Sequence, residues 1–254
     1  MRRFICLLFA LALMGCSQAS EDGMLRQANQ EYAGGNYLRA ESLYERYLEA
    51  NPQGDGRWQA WQRLAEISLT VVGDQRKGSA LLESAYLEYT ENTERAAGIL
   101  WRLARVYTDL RDWDKASETW IKLIDQEHVL KEKAWEVHWN LGKIYQFQGR
   151  YAMAKDSMLS CMEVAPDDAS RAQCMYELAQ AYSFLKNKEQ SHAWLEKLLA
   201  LENADPELKA LSAYLLAELA EADGDIPRAR ELLESIRETY PNPKVIQARL
   251  KHLQ

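Results

Sequence analysis

Leu141-Gly-Lys-Ile-Tyr-Gln-Phe-Gln-Gly-Arg-Tyr-Ala-Met-Ala-Lys-Asp-Ser-Met-Leu-Ser-Cys-Met-Glu-Val-Ala-Pro166 is the stretch that decides the fold. Its landmarks are Leu141-Gly142, Tyr145, Gly149, Tyr151, Ala154, Met158, Cys161 and Pro166. The spacing predicts two antiparallel helices with a tight turn between them. Gly142 leaves room for the second helix to approach closely. Gly149 supplies the turn, where positive φ is easiest for glycine. Ala154 keeps the crossing point small, and Pro166 ends the second helix. One such hairpin cannot bury its apolar face alone, so the pattern has to recur.

It does recur. The small residue at the helix crossing returns at Ala40, Gly78, Ala116, Ala154, Ser191 and Ala229, with spacings of 38, 38, 38, 37 and 38 residues. The six copies are expected at about 24–54, 57–90, 97–130, 135–167, 172–204 and 210–242. The second is the most degenerate and carries one extra residue before its turn at Gly73. In the fifth, Asn187 occupies the turn region that glycine holds elsewhere. After Pro243, residues 244–253 read as a short capping helix with Val245, Ile246, Leu250 and Leu253 on one side. The chain is rich in Ala, Leu, Glu and Tyr and shows no strand alternation.

This pattern resembles the tetratricopeptide repeat. The resemblance covers nearly everything from Met24 to Pro241 and implies an all-α, right-handed superhelical solenoid of about six helix pairs plus the cap. It also implies protein–protein scaffolding without chemistry of its own. The fold alone names no partner.

The first residues read as a leader. Arg2 and Arg3 precede an apolar run from Phe4 to Met14, too short to span a bilayer. The run ends in Leu13-Met14-Gly15-Cys16, which resembles a bacterial lipobox. That resemblance implies cleavage after residue 15, acyl (palmitate-type) modification of Cys16, and a polar tether over 16–23. Ser17, rather than Asp, implies sorting to the outer membrane of a Gram-negative bacterium, with the solenoid (24–254) facing the periplasm. Loss of Arg2 and Arg3 leaves 29 basic against 38 acidic residues, a net charge of −9. No basic cluster remains, which argues against nucleic acid and against electrostatic attachment to anionic lipid. The membrane is then reached through the lipid anchor only.

Two cysteines remain, Cys161 and Cys174, placed about the turn near Pro166 on two adjacent expected helices. In an oxidising compartment they are a candidate disulfide; otherwise they are two small buried hydrophobes.

Most aromatics, including Tyr44, Tyr107, Trp113, Trp120, Tyr145, Tyr151 and Tyr182, fall where helix packing needs them. One set differs: Trp101, Trp139, Tyr176 and Tyr214, spaced 38, 37 and 38 residues apart. In a tetratricopeptide solenoid this position lines the concave face. Four residues on stand Arg105, Lys143, Gln180 and Glu218. A further turn brings Thr108, Gln146, Ser183 and Glu221, with Phe147 and Phe184 nearby. Aromatic anchors beside adjustable polar groups suit a peptide or helix. The ladder is equally readable as packing between neighbouring helices. The chaperone-type carboxylate clamp is not matched: Leu25 and Asn29 stand where it needs Lys and Asn.

Signals for catalysis are missing. The histidines, His128, His138, His192 and His252, lack ligand-spaced partners, and no phosphate loop, nucleophile elbow or HExxH occurs. Neither an enzyme, a cofactor, a metal site nor a small-molecule substrate is expected. The partners expected are other envelope proteins or peptide segments. The tasks to weigh are assembly of an envelope complex (outer-membrane barrel, secretin or pilus, secretion or export machinery), regulation of a peptidoglycan synthase or hydrolase, and peptidoglycan binding. The segments around Leu233–Pro241 and Tyr86–Ala97 resemble barrel-assembly lipoproteins and cell-division coordinators with tetratricopeptide repeats, and the chain as a whole loosely resembles barrel-assembly and pilus-assembly lipoproteins of that class.

Overall fold

The structure, a computed structural model, describes residues 23–253. The leader, Cys16 and all but the last residue of the 16–23 tether lie outside the described residues. Among the described residues there are helices and turns and no strand, and no helix is long and apolar enough to cross a membrane. The chain divides into two compact units, one ending at Leu110 and one beginning at Arg111. That boundary falls within the stretch 97–130 expected to form the third repeat.

The first unit holds α1 (23–33), α2 (Tyr37–Ala50), α3 (Arg57–Glu66, continued by a π turn over Ile67–Val72), α4 (Gln75–Tyr89) and α5 (Thr93–Asp109). Its core gathers Ala28, Ala40, Tyr44, Tyr47, Leu64 and Ile67. The second unit holds α6 (Trp113–Ile124), the single turn α7 (Glu127–Leu130), α8 (Ala134–Phe147), α9 (Tyr151–Val164), α10 (Asp168–Phe184), α11 (Lys188–Leu199), α12 (Pro206–Ala222), α13 (Ile226–Ser235) and α14 (Pro243–His252). From α8 onward each helix packs on the next, and α10 also touches both α8 and α12. The first helices of successive hairpins thus form one row in this unit.

One backbone feature repeats at every turn between paired helices. Gly35, Gly73, Arg111, Gly149, Lys186 and Gly224 all have positive φ, between 51° and 82° with the other such residue, Lys131. At four of these turns the chain reverses by a pair of hydrogen bonds, as where Gly149 N–H donates to Gln146 O at 2.9 Å and Arg150 N–H to Tyr145 O at 2.8 Å. That is the left-handed helix end that glycine favours. In the fifth hairpin the left-handed residue is Lys186, and the expectation for Asn187 is corrected. Asn187 begins the next helix, its side chain accepting from Gln190 N–H.

The residue after the left-handed position caps the second helix in four hairpins; Asn36, before α2, makes no side-chain cap. Asp74, Asp112, Asn187 and Asp225 each accept a hydrogen bond from the backbone N–H three residues on. Arg150 holds the same place before α9 and makes no side-chain cap. It also sets a cation at the positive end of the helix dipole.

The extra residue of the second repeat is absorbed by the π turn. In the fourth hairpin seven residues separate Gly142 from Gly149; in the second, eight separate Ala65 from Gly73. Ile67–Val72 winds wider, and Asp74 N–H reaches back to Ser68 O at 2.9 Å. Winding wide directs Leu69 at the helix crossing. A Cβ on Gly78 would lie 2.1 Å from Leu69 Cδ2 and 2.5 Å from its Cγ. Glycine therefore stands here where the other hairpins carry Ala or Ser, with Ala40, Ala116, Ala154, Ser191 and Ala229 all fully buried.

Cys161 and Cys174 are joined as a disulfide, with Cα atoms 5.9 Å apart. The bond ties α9 to α10 and both residues are fully buried, packed with Met158 and Leu178. Asp167 caps α10 in a reciprocal arrangement with Ser170, which sets the turn that brings the two cysteines face to face.

Three outcomes follow. Gly78→Ala is expected to lower stability by about 1–3 kcal/mol in urea unfolding, and Leu69→Ala in the same chain is expected to recover part of that loss. Strictly additive effects would rule out the contact as the cause. Arg150→Asp is expected to raise stability by about 1 kcal/mol through a new cap, measured by the same method. Replacing Cys174 with Ser is expected to cost roughly 3 kcal/mol, the chain-entropy value for a loop of about 14 residues.

Candidate functional site

The ladder residues do not share one fate. Trp101 and Arg105 stand on α5 in the first unit, Trp101 half-buried and Arg105 exposed. The second unit carries the other six. There, Trp139 on α8 and Tyr176 on α10 both line a cleft of about 440 Å³, joined by Gln173 and Glu177 on α10 and by Leu208 and Leu211 on α12. Asp205 and Glu207, at the start of α12, stand at the same cleft. Lys143 lies over the Trp139 ring, its Nζ 4.1 Å from the centroid. Gln180 hydrogen bonds the Tyr176 hydroxyl, and burial raises the pKa of that phenol.

Tyr214 and Glu218 are corrected. They are not free groove surface, because Arg249 of α14 engages both, although each stays half-buried. Arg249 donates to the Tyr214 hydroxyl at 3.1 Å, to Glu218 at 3.2 Å and to Glu221 at 2.5 Å. Its guanidinium also lies 5.4 Å from the Tyr214 centroid, within cation–π range. The capping helix therefore consumes the last rung of the ladder.

Phe147 and Phe184 are also placed differently. Neither adjoins the inner row. Each stands at a turn and stacks on the first residue of the preceding hairpin's second helix: Phe147 on Trp113 at 4.9 Å, Phe184 on Tyr151 at 4.6 Å. Both remain widely exposed, at 65% and 49%. His138 is bonded to Glu127 at 2.6 Å, across from the short helix α7 that no sequence pattern announces.

Glu177 is the residue that sequence reasoning passed over. Burial raises its carboxyl pKa, while Lys143 and a hydrogen bond from Gln146 act in the opposite direction without cancelling it. Gln146 Nε2 also donates to the backbone O of Glu177 at 3.1 Å. The Trp139 indole N–H is shielded from water and has no acceptor. A buried donor without a partner carries a cost of about 1–3 kcal/mol. The cleft therefore combines apolar walls with two polar groups that the free protein leaves poorly satisfied.

The first unit has its own polar cluster on these helices. Arg63 lies 4.3 Å over the Tyr32 ring and pairs with Glu66 at 2.8 Å. Burial opposes ionisation of Glu66, but hydrogen bonds from Tyr32 and Arg63 prevail and hold its pKa low. Burial lowers the pKa of Arg102. Arg63, Tyr32 and Glu66 thus satisfy one another.

The linkage sign for Glu177 is definite. The folded state binds its proton more tightly than the unfolded chain does, so stability falls as pH rises from the ordinary carboxylate range through the raised folded value. Glu177→Gln is expected to raise thermal stability at neutral pH, with the advantage fading below about pH 4, where the unfolded carboxyl is protonated as well. A variant that is less stable than the parent at neutral pH would show that Glu177 is well compensated.

The comparisons agree with this architecture. Tetratricopeptide-repeat family models match residues 132–204 and 211–243. A search of curated proteins finds no match. Among solved structures, that of PilF from Pseudomonas aeruginosa is similar with a TM-score of 0.56 at 16% identity, over 92% of this chain and 99% of that one. PilW, described as a widely conserved type IV pilus biogenesis factor, gives 0.55 at 17% identity, over 91% and 98%. A double mutant of MamA gives 0.58 at 18% identity, over 73% and 94%. At these identities the likeness is one of fold. Matched repeats, paired helices and left-handed turns at a constant period together make this chain a tetratricopeptide-repeat protein whose fold resembles that of pilus-assembly proteins of the same class.

Proposed function

We propose that this protein is a non-catalytic scaffold that holds a peptide segment of a partner in the cleft between α8, α10 and α12. The observation that carries the reading is the cleft itself: Trp139, Tyr176, Leu208 and Leu211 form apolar walls around polar groups that lack good partners. Aromatic anchors in a concave site are the usual source of affinity in such contacts. Packing alone accounts less well for the pair, because both aromatics keep part of their surface open to the cleft.

The leader and Cys16 support an exported chain held at the outer membrane by its lipid and facing the periplasm. Its partners are then envelope proteins. Among envelope machines the type IV pilus apparatus is favoured, because a fold match spanning 91% of this chain is a pilus biogenesis factor.

Site-specific photocrosslinking in cells tests the scaffold reading. A crosslinker at Leu208 is expected to capture an envelope protein, and Trp139→Ala is expected to abolish the capture while leaving the helical circular dichroism unchanged. Capture that survives Trp139→Ala places the contact elsewhere on the chain. For the anchor, Cys16→Ser is expected to abolish palmitate labelling and release the protein into the soluble periplasmic fraction. Retention in the membrane fraction overturns that part.

A further inference from the structure

The chemistry of the cleft specifies more than a peptide, and this step rests on the scaffold reading above. We propose that the cleft selects a partner segment bearing a basic side chain, arginine or lysine, seated against Glu177 with an apolar neighbour against Tyr176 and Leu208.

Three observations carry it. The first is charge. Glu177, Asp205 and Glu207 all line the cleft, and no basic residue does. Lys143, on α8, lies over the face of Trp139. Asp205 is already occupied, its Oδ1 accepting from the N–H groups of Glu207 and Leu208 at 2.7 and 3.2 Å. Glu177 and Glu207 remain to meet a ligand.

The second is burial. Glu177 is half-buried between helices, and its neighbours Lys143 and Gln146 leave burial the dominant influence on it. A carboxylate in that position gains most from a cation brought in by a ligand, since attraction grows as water is excluded. A guanidinium or ammonium carried on a long apolar stem fits, because the stem lies along Tyr176 and Leu208 while the head reaches the acid.

The third is the Trp139 indole N–H, shielded and without an acceptor in the same wall. A backbone carbonyl of the incoming peptide is the acceptor this donor lacks. A donor for the peptide backbone and an acid for a side chain together define an extended segment with one basic residue, rather than an acidic tail or a neutral glycan.

The test uses the mature chain without its lipid, as a probe on an array of random extended peptides. Bound peptides are expected to be enriched in arginine or lysine at one position next to an apolar residue. In Glu177→Gln with Glu207→Gln, the basic preference is expected to fall at least about tenfold, which is about 1.4 kcal/mol, while Trp139→Ala is expected to lose all peptides. Binding that depends on Trp139 but shows no basic preference, or a basic preference unchanged in the double glutamine variant, overturns the proposal and leaves the scaffold reading standing. If no peptide binds in a Trp139-dependent way, the scaffold reading falls with it. Circular dichroism of each variant confirms that loss is not unfolding.

Discussion

A single constraint underlies the whole chain: each helix hairpin reverses within three residues about one left-handed residue, and in four hairpins the next residue caps the following helix. Gly35, Gly73, Arg111, Gly149, Lys186 and Gly224 meet the first half of that requirement. Asp74, Asp112, Asn187 and Asp225 meet the second. With the reversal fixed, the small residue four or five places later must sit at the crossing. The apolar faces of the two helices then close on each other. Arg111 and Lys186 show the strength of the constraint, because the backbone keeps its left-handed turn even where the side chain disfavours it.

The second hairpin shows how the constraint handles an insertion. One extra residue ahead of Gly73 could have rotated everything after it by 100° and exposed the core face of α4. Winding Ile67–Val72 as a π turn removes that rotation locally. The cost is moved to the crossing, where Leu69 takes the room that a Cβ on residue 78 would use. Degeneracy in the sequence of this repeat is therefore the trace of a local repair, and Gly78 is part of it.

Much of this was legible in the sequence because turn and crossing positions act at the level of the backbone, where residue type and spacing are enough. The hairpins from Ala28 to Pro241 were readable in this way. What was not legible depends on neighbours remote in the chain. Glu177 looks like one more solvated acid on a helix, and it becomes half-buried only because α8 and α12 flank it. Tyr214 and Glu218 continue the ladder by period, yet Arg249, 35 and 31 residues later, takes both. Phe147 and Phe184 sit two residues before their turns and so point along the hairpin edge, which a count of turns placed too near the inner row. Lys186 was missed for Asn187 by one residue, since in four other hairpins the left-handed position is a glycine and the cap follows it.

The disulfide has a mechanical meaning as well as a thermodynamic one. Repeat arrays transmit load from neighbour to neighbour, so a pull applied at the two ends is carried by each hairpin in series. Cys161 and Cys174 join α9 to α10 across a sequence separation of 13. Residues between them cannot be paid out as slack, which withholds about 45 Å of extensible chain. The bond lies beside Trp139, and Cys174 stands about one helical turn before Glu177 on α10. Under tension, two of the three hairpins that build the cleft, those that begin with α8 and α10, are held together by a covalent link, so the wall carrying Trp139 and Tyr176 keeps its shape while load passes through it.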